Sequence, residues 1–209
     1  MNFFESIFLD LGFSWTASKL IPYILMSLMG FVLVYTFHRR FQQKWKKWMI
    51  MTFLAVLPFG IYFSIYPIYT GDFVNNHFLP EQLCAFPKKT TLSVVVLPGC
   101  PYCHESVKFM NQLIEREPKL RIQYVVVAET DNPLLPFRQK LSKRIPVIKS
   151  TKPKDWIIMA KGGFPCMILS ENRKIEHAWE NEHFGVKAID EFIERAKNNW
   201  AITFTSIYL

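Results

Sequence analysis

Residues 94–106 read VVVLPGCPYCHES, and this stretch decides the fold. Its three valines close the run TLSVVV, whose consecutive β-branched and apolar positions predict a strand buried on both faces of a sheet. Pro98 and Gly99 break that strand. Pro101 then stands at a helix start, where a missing N–H is no loss. The segment PYCHESVKFMNQLIERE continues as a helix with Val107, Met110, Leu113 and Ile114 on one face. Cys100 therefore sits at the tip of a predicted helix and Cys103 one turn further on the same side, so their sulfurs can meet.

The five letters CPYCH fit two chemistries. In the first, a dithiol cycles with a disulfide: Cys100 is the attacking sulfur, favoured by unpaired first-turn N–H groups and the positive end of the helix macrodipole, and Cys103 is the resolving thiol. Lowering a thiol pKa by two units takes about 2.7 kcal/mol, whereas an exposed macrodipole supplies only about 0.3 to 1 kcal/mol. Direct N–H···S hydrogen bonds and the neighbouring thiol must supply the remainder. In the second chemistry both thiols bond a haem, His104 is the proximal ligand, and Met110, Met159 or Met167 is the second axial one. Haem-binding segments sit in helical domains, so the triple-valine strand feeding this motif favours the dithiol. A zinc half-site is the third reading. No cofactor and no metal are expected, and His104 is read as an exposed first-turn histidine.

Downstream, IQYVVVAE predicts a second buried strand, and strand–helix–strand requires a crossover and a parallel pair. NPLLPFRQKLSKR is a short helical candidate with Pro133 near its start and Pro136 disturbing its first turn. Residues 145–163 stay unassigned, because proline, glycine and lysine interrupt IPVIKSTKPKDWIIMAKGG and WIIMA fits strand or helix. PCMILS and KIEHAWE, joined by ENRK, predict a hairpin. VKAIDEFIERAKNN carries Val186, Ile189, Phe192, Ile193 and Ala196 at helical spacing. The order predicts an α/β domain, a central mixed sheet of about four strands with helices on both faces.

Half of the residues are hydrophobic and 16% aromatic, and the excess lies in the first third. Residues 20–37 and 48–68 carry no charge and approach the roughly 20 apolar residues that cross a bilayer, so both are read as transmembrane helices rather than core helices. Trp45, Trp48, Tyr66 and Tyr69 fit an interfacial aromatic belt, and Pro58 predicts a kink. The first nineteen residues lack the basic start of a removable signal peptide. Between the spans lie Arg39, Arg40, Lys44, Lys46 and Lys47 with no acid, while Glu5 and Asp10 with only Lys19 precede the first span and Asp72 and Glu81 follow the second before any Lys appears at Lys88. The positive-inside rule puts that loop in the cytoplasm and both termini outside, in a compartment where disulfides persist. The resulting division is a membrane anchor over 1–70, a linker over 71–90, a domain over 91–200 and an apolar tail over 201–209.

Six of the 25 Lys+Arg and two of the 17 Asp+Glu precede residue 70, so the outer part is only modestly basic and makes no case for nucleic-acid binding. Arg138, Lys140, Lys143, Arg144, Lys149, Lys152, Lys154 and Lys161 cluster with Asp155 as the one acid among them, which reads as a solvated face before a membrane- or partner-binding one.

Strand, GCPYC, helix, then hairpin and helix over residues 90–200 resembles the thioredoxin-like superfamily, and CPYC is the glutaredoxin-type motif. Anchor plus outward-facing domain is similar to bacterial thiol-disulfide oxidoreductases of the TlpA and ResA kind. The resemblance implies that Pro165, in GGFPCMILS, is the cis-proline facing the active cysteines, and that Phe164 before it, with Pro101 and Tyr102, contacts the bound substrate segment. It implies an enzyme in the bacterial inner membrane acting on cysteines of exported proteins, reset by a membrane redox donor or acceptor. Reductant, oxidant and isomerase stay open. So does a non-catalytic role as the docking module of a membrane complex. Two departures are visible: SVVVLP lacks the acid of many thioredoxins, and the glutathione-binding residues of glutaredoxins have no match. Cys84 and Cys166 are the remaining thiols, read as a second disulfide, as two separate buried thiols, or with Cys166 near the active pair.

Overall fold

The computed structural model describes residues 3–38, 44–66 and 73–205. Contacts divide the chain near residue 70 into two units.

The first unit holds α1 (Phe3–Asp10), α2 (Trp15–His38) and α3 (Lys44–Ile65). Gly12 takes the left-handed φ of 89° that turns the chain from α1 into α2. Helix α2 starts five residues before the predicted span because Ser14 caps it, its Oγ accepting the Ala17 N–H at 3.2 Å. Lys19, which that extension draws into the helix, lies 3.9 Å from the largely buried Glu5 carboxylate. Gly30 of α2 lies against Ala55 of α3 so closely that a Cβ would stand 2.8 Å from the Ala55 carbonyl oxygen. Small residues at such a crossing let helix backbones pack without side chains between them. Two helical stretches, Trp15–His38 and Lys47–Ile65, are long and apolar enough to cross a membrane. Of the interhelical cations, Arg39 and Arg40 lie outside the described residues, as do Tyr69 and the last two positions of the second predicted span.

The second unit is a five-stranded sheet in the order β3-β2-β1-β4-β5. Its strands are β1 (Thr91–Val96), β2 (Ile122–Val126), β3 (Val147–Lys149), β4 (Cys166–Glu171) and β5 (Lys174–Glu180). β1 pairs parallel with β2, and β2 with β3, while β4 runs antiparallel to both β1 and β5. The helices are α4 (Pro101–Arg116), α5 (Leu135–Lys140), α6 (Pro153–Met159) and α7 (Val186–Thr205). The unassigned stretch supplies β3 and α6, so the sheet has one strand more than predicted. A three-residue edge strand with Ile148 and Lys149 exposed has no periodicity to read. Asn132–Leu134 forms a tighter 3₁₀ turn that leads into α5, so Pro136 falls in a first turn where it is tolerated. Asn172 and Arg173 both have positive φ, 51° and 69°, as the two-residue hairpin turn requires. The predicted apolar tail from 201 is corrected: α7 continues to Thr205, and residues 206–209 lie outside the described ones.

One sheet face buries Val95, Val125, Cys166, Ile168 and Ala178 under Trp156 and Met159 of α6 and under Phe86. The other carries Tyr124, which meets Ser106 of α4. The segment predicted as a linker is built into the sheet: Phe78 exchanges two 2.9 Å backbone hydrogen bonds with Ala178, covering the β5 edge. Polar contacts secure it further, with Trp179 Nε1 donating to Asn75 Oδ1 (2.7 Å) and Asn75 Nδ2 to Glu191 Oε2 (2.9 Å). Glu191 Oε1 also lies 3.0 Å from His177 Nε2 and accepts from Arg195 Nε at 3.1 Å. In the basic cluster Lys149 pairs with Asp131, Lys152 with Asp155, and Lys161 lies over the Phe78 ring, while Arg138, Lys140, Lys143, Arg144 and Lys154 face solvent.

Candidate redox site

Strand β1 ends at Val96, and the turn Leu97–Pro98–Gly99–Cys100 delivers the chain to α4. Cys100 is the residue before the helix, extended at φ −87° and ψ 116°, and its Sγ accepts the Cys103 N–H at 3.2 Å. A sulfur thus does what a serine or aspartate oxygen does at other helix starts. The same Sγ lies 3.7 Å from the Phe164 carbonyl oxygen, to which its S–H donates. The Phe164–Pro165 peptide is cis. Central βαβ, antiparallel hairpin, closing helix and a dithiol at a helix tip give this domain the arrangement of the thioredoxin-like fold that the sequence resembles.

Within the thioredoxin-like domain the two sulfurs are unequal. Cys100 is partly exposed; Cys103 is 0% exposed. Burial pushes the Cys103 thiol well above the ordinary thiol range, and its hydrogen bond with Cys100 adds to the shift. One accessible sulfur is held by an N–H donor while its neighbour keeps its proton in the core, which suits an attacking and a resolving thiol in that order. Pro101 and Tyr102 face outward, Tyr102 at 61% exposure, Phe164 is half-buried and Pro165 buried.

Two hydroxyls beneath the pair were not singled out from the sequence. Ser106 Oγ donates to the Cys103 carbonyl oxygen at 2.8 Å, and with that hydrogen committed the Tyr124 hydroxyl donates to Ser106 Oγ at 2.9 Å. Tyr124 stands beside Val94 in the β1/β2 register and is fully buried. Burial holds its hydroxyl neutral, and the nearby Cys103 pushes in the same direction. Where thioredoxins often place a carboxylate on the first strand, this domain has the Ser106 and Tyr124 hydroxyls below Cys103. The signal was a lone tyrosine in the aliphatic run IQYVVV and a serine three residues after Cys103.

His104 is half-buried rather than exposed as the sequence suggested. Its Nε2 lies 2.9 Å from the Pro98 carbonyl oxygen, and its ring stacks on Phe137 at 4.7 Å and 8°. Nδ1 is buried without a hydrogen-bond partner among the described residues. The CxxCH donor set therefore does not fit haem: one ring nitrogen is engaged, the other is buried, and Cys103 lies in the core. Met110, Met159 and Met167 are all core residues. Among the described residues no group of three or more His, Cys, Asp or Glu could hold a metal ion.

All four cysteines carry free thiols. Cys166 is buried opposite Val95, and burial, then the Glu180 carboxylate, raises its thiol to about 12. Cys84 is half-buried and packs against the same core cluster that contains Cys166, its thiol raised by burial and then by Asp155.

Among solved structures the chain is similar to a putative thiol:disulfide interchange protein DsbE from Chlorobium tepidum, at 17% identity and TM-score 0.42 over 60% of this chain and 96% of that one. It is similar to StoA from Bacillus subtilis, at 16% identity and TM-score 0.41 over 57% and 97%. A secreted Mycobacterium tuberculosis disulfide oxidoreductase is similar at 13% identity and TM-score 0.40 over 53% and 82%. No protein-family model and no curated protein matches the sequence.

Proposed function

We propose that the chain is a membrane-anchored thiol-disulfide oxidoreductase whose Cys100/Cys103 pair exchanges electrons with cysteines of extracytoplasmic proteins. The observation that carries this reading is the Cys100 sulfur, partly exposed at a helix tip, accepting the Cys103 N–H at 3.2 Å with a protonated, buried Cys103 thiol behind it. In the reducing direction the Cys100 thiolate attacks one sulfur of a substrate disulfide, forming a mixed disulfide and releasing one substrate thiolate. Cys103 then passes its proton to the released substrate thiolate and attacks Cys100 Sγ. The second substrate thiolate leaves, the enzyme holds a disulfide, and two electrons have passed to the substrate. The reverse sequence oxidises a substrate dithiol, and a membrane donor or acceptor of two electrons resets the pair.

The membrane half of the reading is supported by two helices of spanning length and by the acid-free basic segment between them, which favours a cytoplasmic loop and an outer thioredoxin-like domain. The Phe164 carbonyl oxygen lies 3.7 Å from the Cys100 sulfur, and in this reading Phe164 and Pro165 together with the exposed Pro101 and Tyr102 are where a substrate segment lies. Cys103→Ser in the full chain, expressed in cells and quenched with acid, tests the proposal. Mixed disulfides through Cys100 should accumulate and vanish on reduction, whereas Cys100→Ser should give none. Equal yields from both variants contradict it.

A further inference from the structure

We propose that His104 is a positioning residue for Cys100: its Nε2–H, donating to the Pro98 carbonyl, holds the turn that aims the attacking sulfur at the Cys103 N–H. The inference rests on the redox reading above and assigns the histidine of CPYCH a task that neither sulfur performs.

The turn needs such a hold. Gly99 has nothing within 4 Å of where a Cβ would be, so no side chain packs over it there, and glycine is the residue whose backbone orders least readily. Two backbone hydrogen bonds brace the turn, Cys100 N–H to Leu97 O and His104 N–H to Cys100 O, both at 3.3 Å. Both are longer than the usual mode for such bonds. The imidazole contact at 2.9 Å is the shortest of the three. A carbonyl oxygen only accepts, so Nε2 carries the hydrogen.

The ring is itself fixed. It lies flat on Phe137, a fully buried residue of α5 whose ring centre is 6.0 Å from that of Tyr124 on the central sheet. Sheet, Tyr124, Phe137, His104 and the Pro98 carbonyl thus form one packed series ending at the turn. Cys100 Sγ meets the Cys103 N–H only while that turn keeps its shape, because the sulfur has one short side chain with which to reach it.

Two variants separate the donor from the ring. His104→Phe keeps the stack and loses the donor; His104→Gln keeps an N–H of similar reach and loses the stack. The reduced full-length protein in detergent is treated with iodoacetamide at pH 7, and the alkylation rate of Cys100 is followed by peptide mass. Loss of one hydrogen bond corresponds to roughly a fivefold change in an equilibrium, so His104→Phe should slow Cys100 alkylation by about that factor. His104→Gln should stay within about twofold of the parent if it restores the bond. An unchanged rate in His104→Phe, or equal slowing in both variants, overturns the proposal. The probe reads the Cys100 sulfur with no substrate involved, so the electron-exchange reading is judged separately by whether the pair cycles with a disulfide.

Discussion

The backbone N–H of Cys103 points at the Cys100 sulfur from 3.2 Å, while the Cys103 side chain is fully buried. One residue thus offers its N–H to the Cys100 sulfur while its own thiol is withdrawn into the core. One sulfur is accessible and the other, one helical turn away, is buried.

Alkylation should follow that split. On the reduced native protein Cys100 reacts first and Cys84 more slowly, while Cys103 and Cys166 react only after denaturation. For Cys166, a thiol raised from 9.0 to about 12 has about a thousandfold less thiolate at neutral pH. Timed quenching with a maleimide and peptide mapping checks the order.

The hydroxyls under Cys103 predict an inversion of the usual size rule. Ser106→Ala removes one oxygen but leaves the Tyr124 hydroxyl buried without its acceptor, at a cost of about 1 to 3 kcal/mol. Tyr124→Phe leaves Ser106 still bonded to the Cys103 carbonyl and should cost about 1 kcal/mol. Urea denaturation of both variants measures the difference.

Stability should be greatest between about pH 6.5 and 9. Burial depresses the His177 pKa below its ordinary 6.5, with His77 and Arg195 pushing the same way against Glu191 and Glu176. The unfolded chain then takes up that proton first, so stability present above pH 6.5 is lost as pH falls through the folded-state value. Cys166 behaves oppositely: its folded pKa is raised from 9.0 to about 12, so its stabilising contribution is complete below 9 and disappears as pH climbs toward 12. Melting temperature against pH reads both limbs. His177→Gln should flatten the acid limb and Cys166→Ala the alkaline one.

The helix pair of the first unit predicts a contrast between two glycines. Gly30→Leu places a Cβ 2.8 Å from the Ala55 carbonyl oxygen and must force α2 and α3 apart, whereas the Cβ of Gly60→Leu meets nothing within 4 Å. Thermal aggregation of the full chain in detergent should begin several degrees lower for Gly30→Leu and be little changed for Gly60→Leu.

Much of the fold was legible because its central signals are local. The run ending in Val96, the proline at 101 and the stripe Val107–Met110–Leu113–Ile114 give strand and helix without knowledge of any other segment. The α/β class follows from their order. β3 was not legible, because three residues at a sheet edge show neither period nor burial, and its pairing with β2 is what makes it a strand. The docking of the linker was not legible for a related reason: Phe78 is held by Ala178, 100 residues away, and nothing in its neighbourhood says so. In the site, the CxxC spacing is a local signal. Ser106 with Tyr124, and His104 with Phe137, meet through the β1–β2 crossover and α5, so their partners could not be read beside the motif.

The central claim is that Cys100 and Cys103 form a reversible redox pair, and equilibrating the purified full-length protein in glutathione buffers of graded ratio tests it most directly. Peptide mapping should show one Cys100–Cys103 disulfide that rises and falls with the buffer in a single two-electron transition and is absent from Cys103→Ser. A pair that stays dithiol at every ratio, or a transition carried by Cys84 and Cys166 instead, would contradict the account.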